Sequence, residues 1–378
     1  MSASGQPRVF ALVRDYDACF AEFLRPSGNG QKILQAILMR AAFRQFAEER
    51  VAISQDAPTI ILDVSCGPGD FSVAWASEIA KFLPRGMIFY CTDIASGVTR
   101  ATGEKYTTAT VNKMRAAAQK GNVALAEAPV GIDADLFSGS DRLIPPGQCA
   151  DVIHWSHSGY YVREALGPDR DDSVAIESGI SIAVDKMWAA LDPGGLMISI
   201  HGTRETSDGI PSQMLPVSRP YCGALDNVPE LIERRVRHLG GSVATVNFAS
   251  PLYFAEPGEA DWEPLKRPAQ WQQLGPLQLR NLLLLNFSAS DFSDPDKAAI
   301  EKLADIGRLA SYVDTFKSIV TQNRGYILAK CAFQMIAKSQ DVALKLNAIA
   351  GKLCRDMPEF RQQMIRQMGT ERDGEPSR

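Results

Sequence analysis

Ile61-Leu62-Asp63-Val64-Ser65-Cys66-Gly67-Pro68-Gly69-Asp70-Phe71-Ser72 joins a short apolar, β-rich run, Thr59–Val64, to a stretch with helical spacing, Phe71–Phe82. A strand that ends in a glycine turn and opens onto a helix is how Rossmann-like sheets bind nucleotides. Glycine lets the backbone approach a ligand, and the first helical turn offers N–H groups without intrahelical partners. The dinucleotide fingerprint needs GxGxxG, and a GxG preceded by Ser65 and Cys66 fits it poorly. A turn that merely links strand to helix is the other reading of the same residues.

Outward from this turn the alternation recurs. Met87–Thr92, Val123–Ala126, Asp151–Trp155 and Leu196–His201 read as strands, and Phe71–Phe82 and Val174–Leu191 as helices. Strands alternating with helices predict a parallel sheet covered on both faces. Gly194-Gly195 reads as a helix C-cap turn feeding the fifth strand. Further on, Val228–Leu239 reads as a helix, Val243–Phe254 as a strand, Asp296–Val320 as helical and Gly325–Lys330 as a last strand. Apolar spacing of three and four predicts two helices in the first fifty residues, broken by Pro26, Gly28 and Gly30. The domain reading is a helical lid over 1–50, a sheet domain over 51–330 with a helical substrate roof at about 258–320, and a helical tail over 331–378. The tail either covers the sheet edge or makes a homodimer.

The chain has 378 residues, a net charge of −4, 45% hydrophobic and 22% charged residues, a balance that supports a packed core. Long Lys/Arg blocks are missing, which argues against a nucleic-acid partner. The seven cysteines are scattered with no CxxC, so neither a disulfide framework nor a zinc site is expected. The apolar run Leu282–Leu285 is far too short to span a membrane, and the first residues do not read as a signal peptide. A cytoplasmic protein with reduced thiols is the expectation.

The stretch from Ile61 to Ser72 resembles the first motif of class I S-adenosylmethionine-dependent methyltransferases, hhDxGxGxG, with Ser65 in place of the first glycine. The resemblance implies a Rossmann-like α/β sheet and S-adenosylmethionine as cofactor. It implies that Asp63 holds the cofactor's amino group and that Ser65, Gly67 and Gly69 pass beneath it. Asp93 closes the second strand, where an acid can accept both ribose hydroxyls or cap the next helix. Ile132, Asp133 and Asp135, read as following the third strand, suit adenine or are solvated loop residues. Ser156 ends the fourth strand on the cofactor side. The Leu191-Asp192-Pro193-Gly194-Gly195 turn fits the later motifs in series.

Substrate residues are expected where the fourth and fifth strands end: His157, Tyr160, Tyr161 and His201. His157 is the candidate general base for a hydroxyl acceptor. Packing is the plainer reading of the same side chains. Two segments, Tyr16–Gln31 and Ile153–Val162, are similar to histamine N-methyltransferase. That resemblance implies that Tyr16 and Phe20 shape a substrate pocket. Asn29 stands where that family carries its amine-binding glutamate, and it has no charge. Gln322 or Asn323 matches a substrate-contacting asparagine. The expected function is methyl transfer to a small-molecule N or O nucleophile. Aminocarboxypropyl transfer and a non-enzymatic scaffold are the alternatives.

Overall fold

Most of the apolar runs around the Ser65–Gly69 turn are strands in the structure. It is a computed structural model that describes residues 30–99, 102–137, 139–159, 162, 173–203, 228–255, 257–275, 277, 278, 281 and 309–372. In chain order the elements are α1 (Gly30–Glu49), β1 (Thr59–Val64), α2 (Asp70–Ile79), β2 (Met87–Asp93), α3 (Tyr106–Gln119), β3 (Val130–Asp133), β4 (Ala150–Ser156), α4 (Ser173–Ala190), β5 (Leu191–Gly202), α5 (Val228–His238), β6 (Ser242–Tyr253), α6 (Leu309–Gln322), β7 (Tyr326–Ala337) and α7 (Gln340–Arg372). Among the described residues the strands form one seven-stranded sheet, ordered β3-β2-β1-β4-β5-β7-β6. The first five strands in that order run parallel. β7 is antiparallel to both β5 and β6. The chain starts at a central strand, moves outward through β2 and β3, then returns to β4 on the other side of β1. That reversal leaves a crevice at the C-terminal ends of β1 and β4.

The sheet is buried on both faces, which is why its central strands read as continuous apolar runs. On one face, α1, α2 and α7 pack Leu34, Leu38, Phe43, Phe46, Trp75 and Leu353 against Ile61, Phe89, Ile198 and Phe333. On the other, α4 and α5 pack Ile180, Val184, Met187 and Ile232 against Leu62, Ile153, Trp155 and Met197. α1 therefore belongs to the sheet's own core. Burying each of its two phenylalanines contributes about 1.5–3 kcal/mol.

Three expectations need correction. The third strand is Val130–Asp133, not Val123–Ala126, so Ile132 and Asp133 lie in the strand and not after it. Residues 123–126 contribute only an isolated bridge, Met87 to Leu125. β3 is an edge strand with little buried surface, so its sequence lacks the apolar signal, whereas Val123 is buried in a loop. Gly131 lets α3 cross β3 closely: a Cβ there would lie 2.9 Å from the Thr107 Cβ. Second, Gly194-Gly195 is not a turn before the strand. β5 already begins at Leu191, paired with Ala150, and the Asp192–Gly195 stretch is an irregularity where the register shifts. Third, β7 extends to Ala337, and the tail helix starts at Gln340. Of the helix expected over 296–320, the first part lies outside the described residues and the rest is α6. The first predicted helix also lies outside them. Near the end of β6, Phe254 stacks between Trp262 and Phe316 at 6.4 and 5.9 Å, which ties the segment after β6 to α6.

Candidate functional site

The loop after β1 is built on left-handed backbone. Ser65 and Gly67 both have φ near +56°, and Gly69, the N-cap of α2, has φ +86°. Serine tolerates this conformation at a cost that glycine avoids. The loop is fastened to β2: Cys66 N–H donates to Thr92 O at 3.0 Å, and Gly67 N–H donates to Asp93 Oδ2 at 2.7 Å. Thr110 on α3 donates to Gly67 O at 2.9 Å. The two glycines differ in surroundings. A Cβ on Gly69 would lie 2.6 Å from the Thr110 Cα, whereas a Cβ on Gly67 would meet nothing within 4 Å. Gly67 thus borders open space beside Asp93.

Asp93 also accepts from Ile94 N–H at 2.9 Å. Burial pushes its carboxyl up to about 6, against the lowering effect of the Gly67 and Ile94 N–H groups. Asp133 stands opposite Asp93 in register. Its carboxylate pairs with Lys105, which holds it below the usual range, and accepts from Thr107 Oγ1 at 2.8 Å. Ile132 and Ser156 are half-buried at the ends of β3 and β4. Asp135 is turned to local work, accepting from Phe137 N–H at 2.9 Å.

Asp63 lies deeper. It is 2% exposed, and both of its oxygens are bonded within the chain. Ser72 Oγ donates to Oδ2 at 2.5 Å and His154 Nδ1 to Oδ1 at 2.7 Å. The His154 ring is packed against Trp75 and Phe71 at 4.8 and 5.9 Å.

Where β4 ends, His157 has φ +52°, a strained value for a residue with a side chain. Its N–H donates to Ile200 O at 2.9 Å, and its Nε2 meets Gln35 Nε2 from α1. Burial first, then the nearby Lys32, His201 and His154, push its pKa well below the usual imidazole value, so the ring is neutral. His201 is a buttress: 3% exposed, it accepts from Gly159 N–H at 3.2 Å on Nε2 and pairs with Ser199 Oγ at 2.9 Å on Nδ1. Burial pushes it down to about 3. Its ring edge meets Trp155 at 4.6 Å.

The fold thus gathers Ser65, Gly67, Gly69, Asp93, Ile132, Asp133, Ser156 and His157 at one end of the sheet, with Asp63 and His201 beneath. Gln322 is exposed on α6, where its Nε2 donates to Ser318 at 3.2 Å. Tyr16, Phe20, Asn29, Tyr160 and Tyr161 lie outside the described residues. Sequence reasoning missed Lys32 and Gln35. Gln35 is fully buried on the apolar face that carries Leu34 and Leu38, and a polar residue on such a face is the signal that marks it.

No protein-family model matches the chain, and no curated protein matches it. Solved structures give remote likenesses. A SAM-dependent methyltransferase from Thiobacillus denitrificans, in complex with S-adenosyl-L-homocysteine, is 16% identical, with 88% of this chain and 98% of that one covered at a TM-score of 0.41. A SAM-dependent methyltransferase from Geobacter sulfurreducens, with the same ligand, is 14% identical, covering 78% and 96% at 0.35. An O-methyltransferase family protein from Burkholderia thailandensis is 16% identical, covering 50% and 47% at 0.31; the chain spans about half the length of that protein. Identities and scores this low assign no reaction to the chain.

Proposed function

We propose that the protein binds S-adenosylmethionine at the C-terminal ends of β1 and β2 and transfers its methyl group to a small-molecule N or O nucleophile. The observation that carries this reading is the open space at Gly67, bordered by the Asp93 carboxylate. A backbone bare of side chain beside a desolvated acid fits a ligand that presents hydroxyls to the acid and an extended chain to the glycine. Asp93 would take the ribose hydroxyls, the Ser65–Gly69 loop would run beneath the cofactor, and Ile132, Asp133 and Ser156 would border its base. Asp63 supports this floor through Ser72 and His154.

The cofactor supplies a methyl group already activated on a sulfonium. The chain's task is then to align the acceptor and exclude water. His157, which follows β4, would be the group that takes a proton from a hydroxyl acceptor. Tyr16, Phe20, Asn29, Tyr160, Tyr161 and Gln322 remain the acceptor-side candidates, with His201 holding the β4 end in place.

Calorimetric titration with S-adenosylmethionine and S-adenosylhomocysteine, beside an Asp93→Ala variant, tests the proposal. Both ligands should bind, and the substitution should weaken them by roughly 1–3 kcal/mol, the value of a charge-assisted contact. A folded wild-type protein that binds neither removes the proposal. Product mass from a screen of amines, phenols and acids then separates methyl from aminocarboxypropyl transfer.

A further inference from the structure

We propose that Lys32 and Gln35, one turn apart on α1, form a binding site for the amino-carboxylate head of an α-amino acid, with Lys32 receiving the carboxylate. The inference rests on the cofactor reading and adds to it a ligand group and two residues that no sequence motif contains. α1 is 20 residues long, and its first turn reaches the end of the sheet where the glycine loop lies. There the Lys32 Nζ stands 3.9 Å over the ring of Phe71, in the first turn of α2 directly after that loop. Cys331 of β7 and Asp63 of β1 are among the groups close enough to act on Lys32, and Lys32 itself acts on His157 after β4. These residues come together near the switch point of the sheet. Burial lowers the lysine to about 8, which leaves it mostly charged at pH 7. A cation seated on the Phe71 ring beside His157, with Asp63 beneath, lies in a low-dielectric setting, where a ligand carboxylate gains more than it does in water.

Gln35 supplies the second, independent observation. It is fully buried, its Nε2 meets His157, and its Oε1 has no hydrogen-bond partner among the described residues. A buried acceptor without a donor is costly, and a ligand N–H satisfies it. A cation beside an unsatisfied acceptor is complementary to a carboxylate beside an ammonium. Two ligands present that head: the amino-acid end of the cofactor, or an α-amino acid acting as methyl acceptor.

Three variants test this on the full chain: Lys32→Met, which keeps the stem over Phe71; Lys32→Arg, which keeps the charge; and Gln35→Met. Each is first checked for an unaltered thermal melt. S-adenosylhomocysteine and 5′-methylthioadenosine, which lacks the amino-carboxylate, are titrated by calorimetry. If the cofactor is the source, Lys32→Met weakens S-adenosylhomocysteine roughly 10–100-fold and leaves 5′-methylthioadenosine unchanged. Lys32→Arg restores most of the loss, and Gln35→Met gives a smaller loss of the same pattern. If the acceptor is the source, S-adenosylhomocysteine is unaffected. In that case the thermal shift that a free α-amino acid, added singly, produces in the saturated wild type is lost in Lys32→Met. Unchanged affinity for S-adenosylhomocysteine together with no amino-acid shift in the wild type overturns the proposal while leaving the cofactor reading intact. Loss of 5′-methylthioadenosine binding along with S-adenosylhomocysteine, in a variant that melts normally, also overturns it. A wild type that binds neither nucleoside removes the cofactor reading itself, and this proposal with it.

Discussion

Gly67 and Gly69 stand two residues apart in one loop, and replacing them has different consequences. Gly69→Ala combines a left-handed φ with a Cβ pressed 2.6 Å from the Thr110 backbone, which has no room to yield. The expected cost is on the order of 2–4 kcal/mol in a denaturant titration. Gly67→Ala meets no protein atom and carries only the backbone strain, about 1 kcal/mol, yet its methyl group enters the open space where the cofactor is proposed to lie. Calorimetry should show S-adenosylhomocysteine binding lost in a protein that still melts cooperatively. Asp63→Ala leaves the Ser72 hydroxyl and the His154 Nδ1–H without their buried acceptor and should cost on the order of 2–4 kcal/mol. Asp93 makes binding depend on pH in a defined direction. Folding raises its pKa from 3.8 to about 6, so the native state binds the proton more tightly. Between those values the ligand-free protein loses stability as pH rises. In the proposed site ribose hydroxyls would donate to the charged form, so affinity for S-adenosylhomocysteine should fall as pH drops below about 6, approaching tenfold per unit; Asp93→Asn should flatten the profile. Asp63, Gly67, Gly69 and Asp93 were legible in the sequence because the turn and the strand end that hold them are local. Lys32 and Gln35 were not, because helical spacing says nothing about which loop the helix crosses.

Among the elements, legibility followed burial. β1, β2 and β4 lie inside the sheet and announce themselves as apolar runs. β3 lies at its edge, carries Val-Gly-Ile-Asp, and is a strand through its parallel pairing with β2, with Gly131 leaving room for Thr107 of α3. The extension of β7 to Ala337 was hidden for another reason. Both faces of Cys331–Ala337 are buried, and a short apolar run of that kind has no period that separates strand from helix. α1 is held by tertiary contact: its buried face, with Leu34, Leu38, Phe43 and Phe46, closes one side of the core. Phe46→Ala should therefore cost about 3–5 kcal/mol, measured as a shift in the urea midpoint. A smaller loss would mean that α1 sits on the core as a detachable cover.

For the whole molecule, the sheet order places the crevice at the middle of the sheet and leaves the antiparallel β6–β7 pair at one edge. Composition announced a packed core and the alternation of runs announced an α/β sheet, but the order of strands depends on pairings that no local pattern encodes. Among the described residues no helix is long and apolar enough to cross a membrane. A ligand at a hundred times its dissociation constant should stabilise the folded chain by about 2.7 kcal/mol, or roughly 3 °C in a thermal melt for a protein of this length. S-adenosylhomocysteine should produce that shift and adenine alone should not.

Gly30, the first residue of α1, lies against Pro251 of β6 and Met368 of α7: a Cβ on it would come within 2.8 Å of the proline ring and 3.0 Å of the methionine sulfur. In a growing polypeptide both neighbours are made long after α1, Met368 after Pro251. At about 5–20 residues per second, α1 waits roughly 15–70 s between its own emergence and that of Met368. During that interval β1 and α2, made directly after α1, can already close over part of its row of leucines and phenylalanines, while the strip that meets α7 stays open. The nascent chain should therefore offer that open strip of α1 to ribosome-bound chaperones until α7 leaves the exit tunnel.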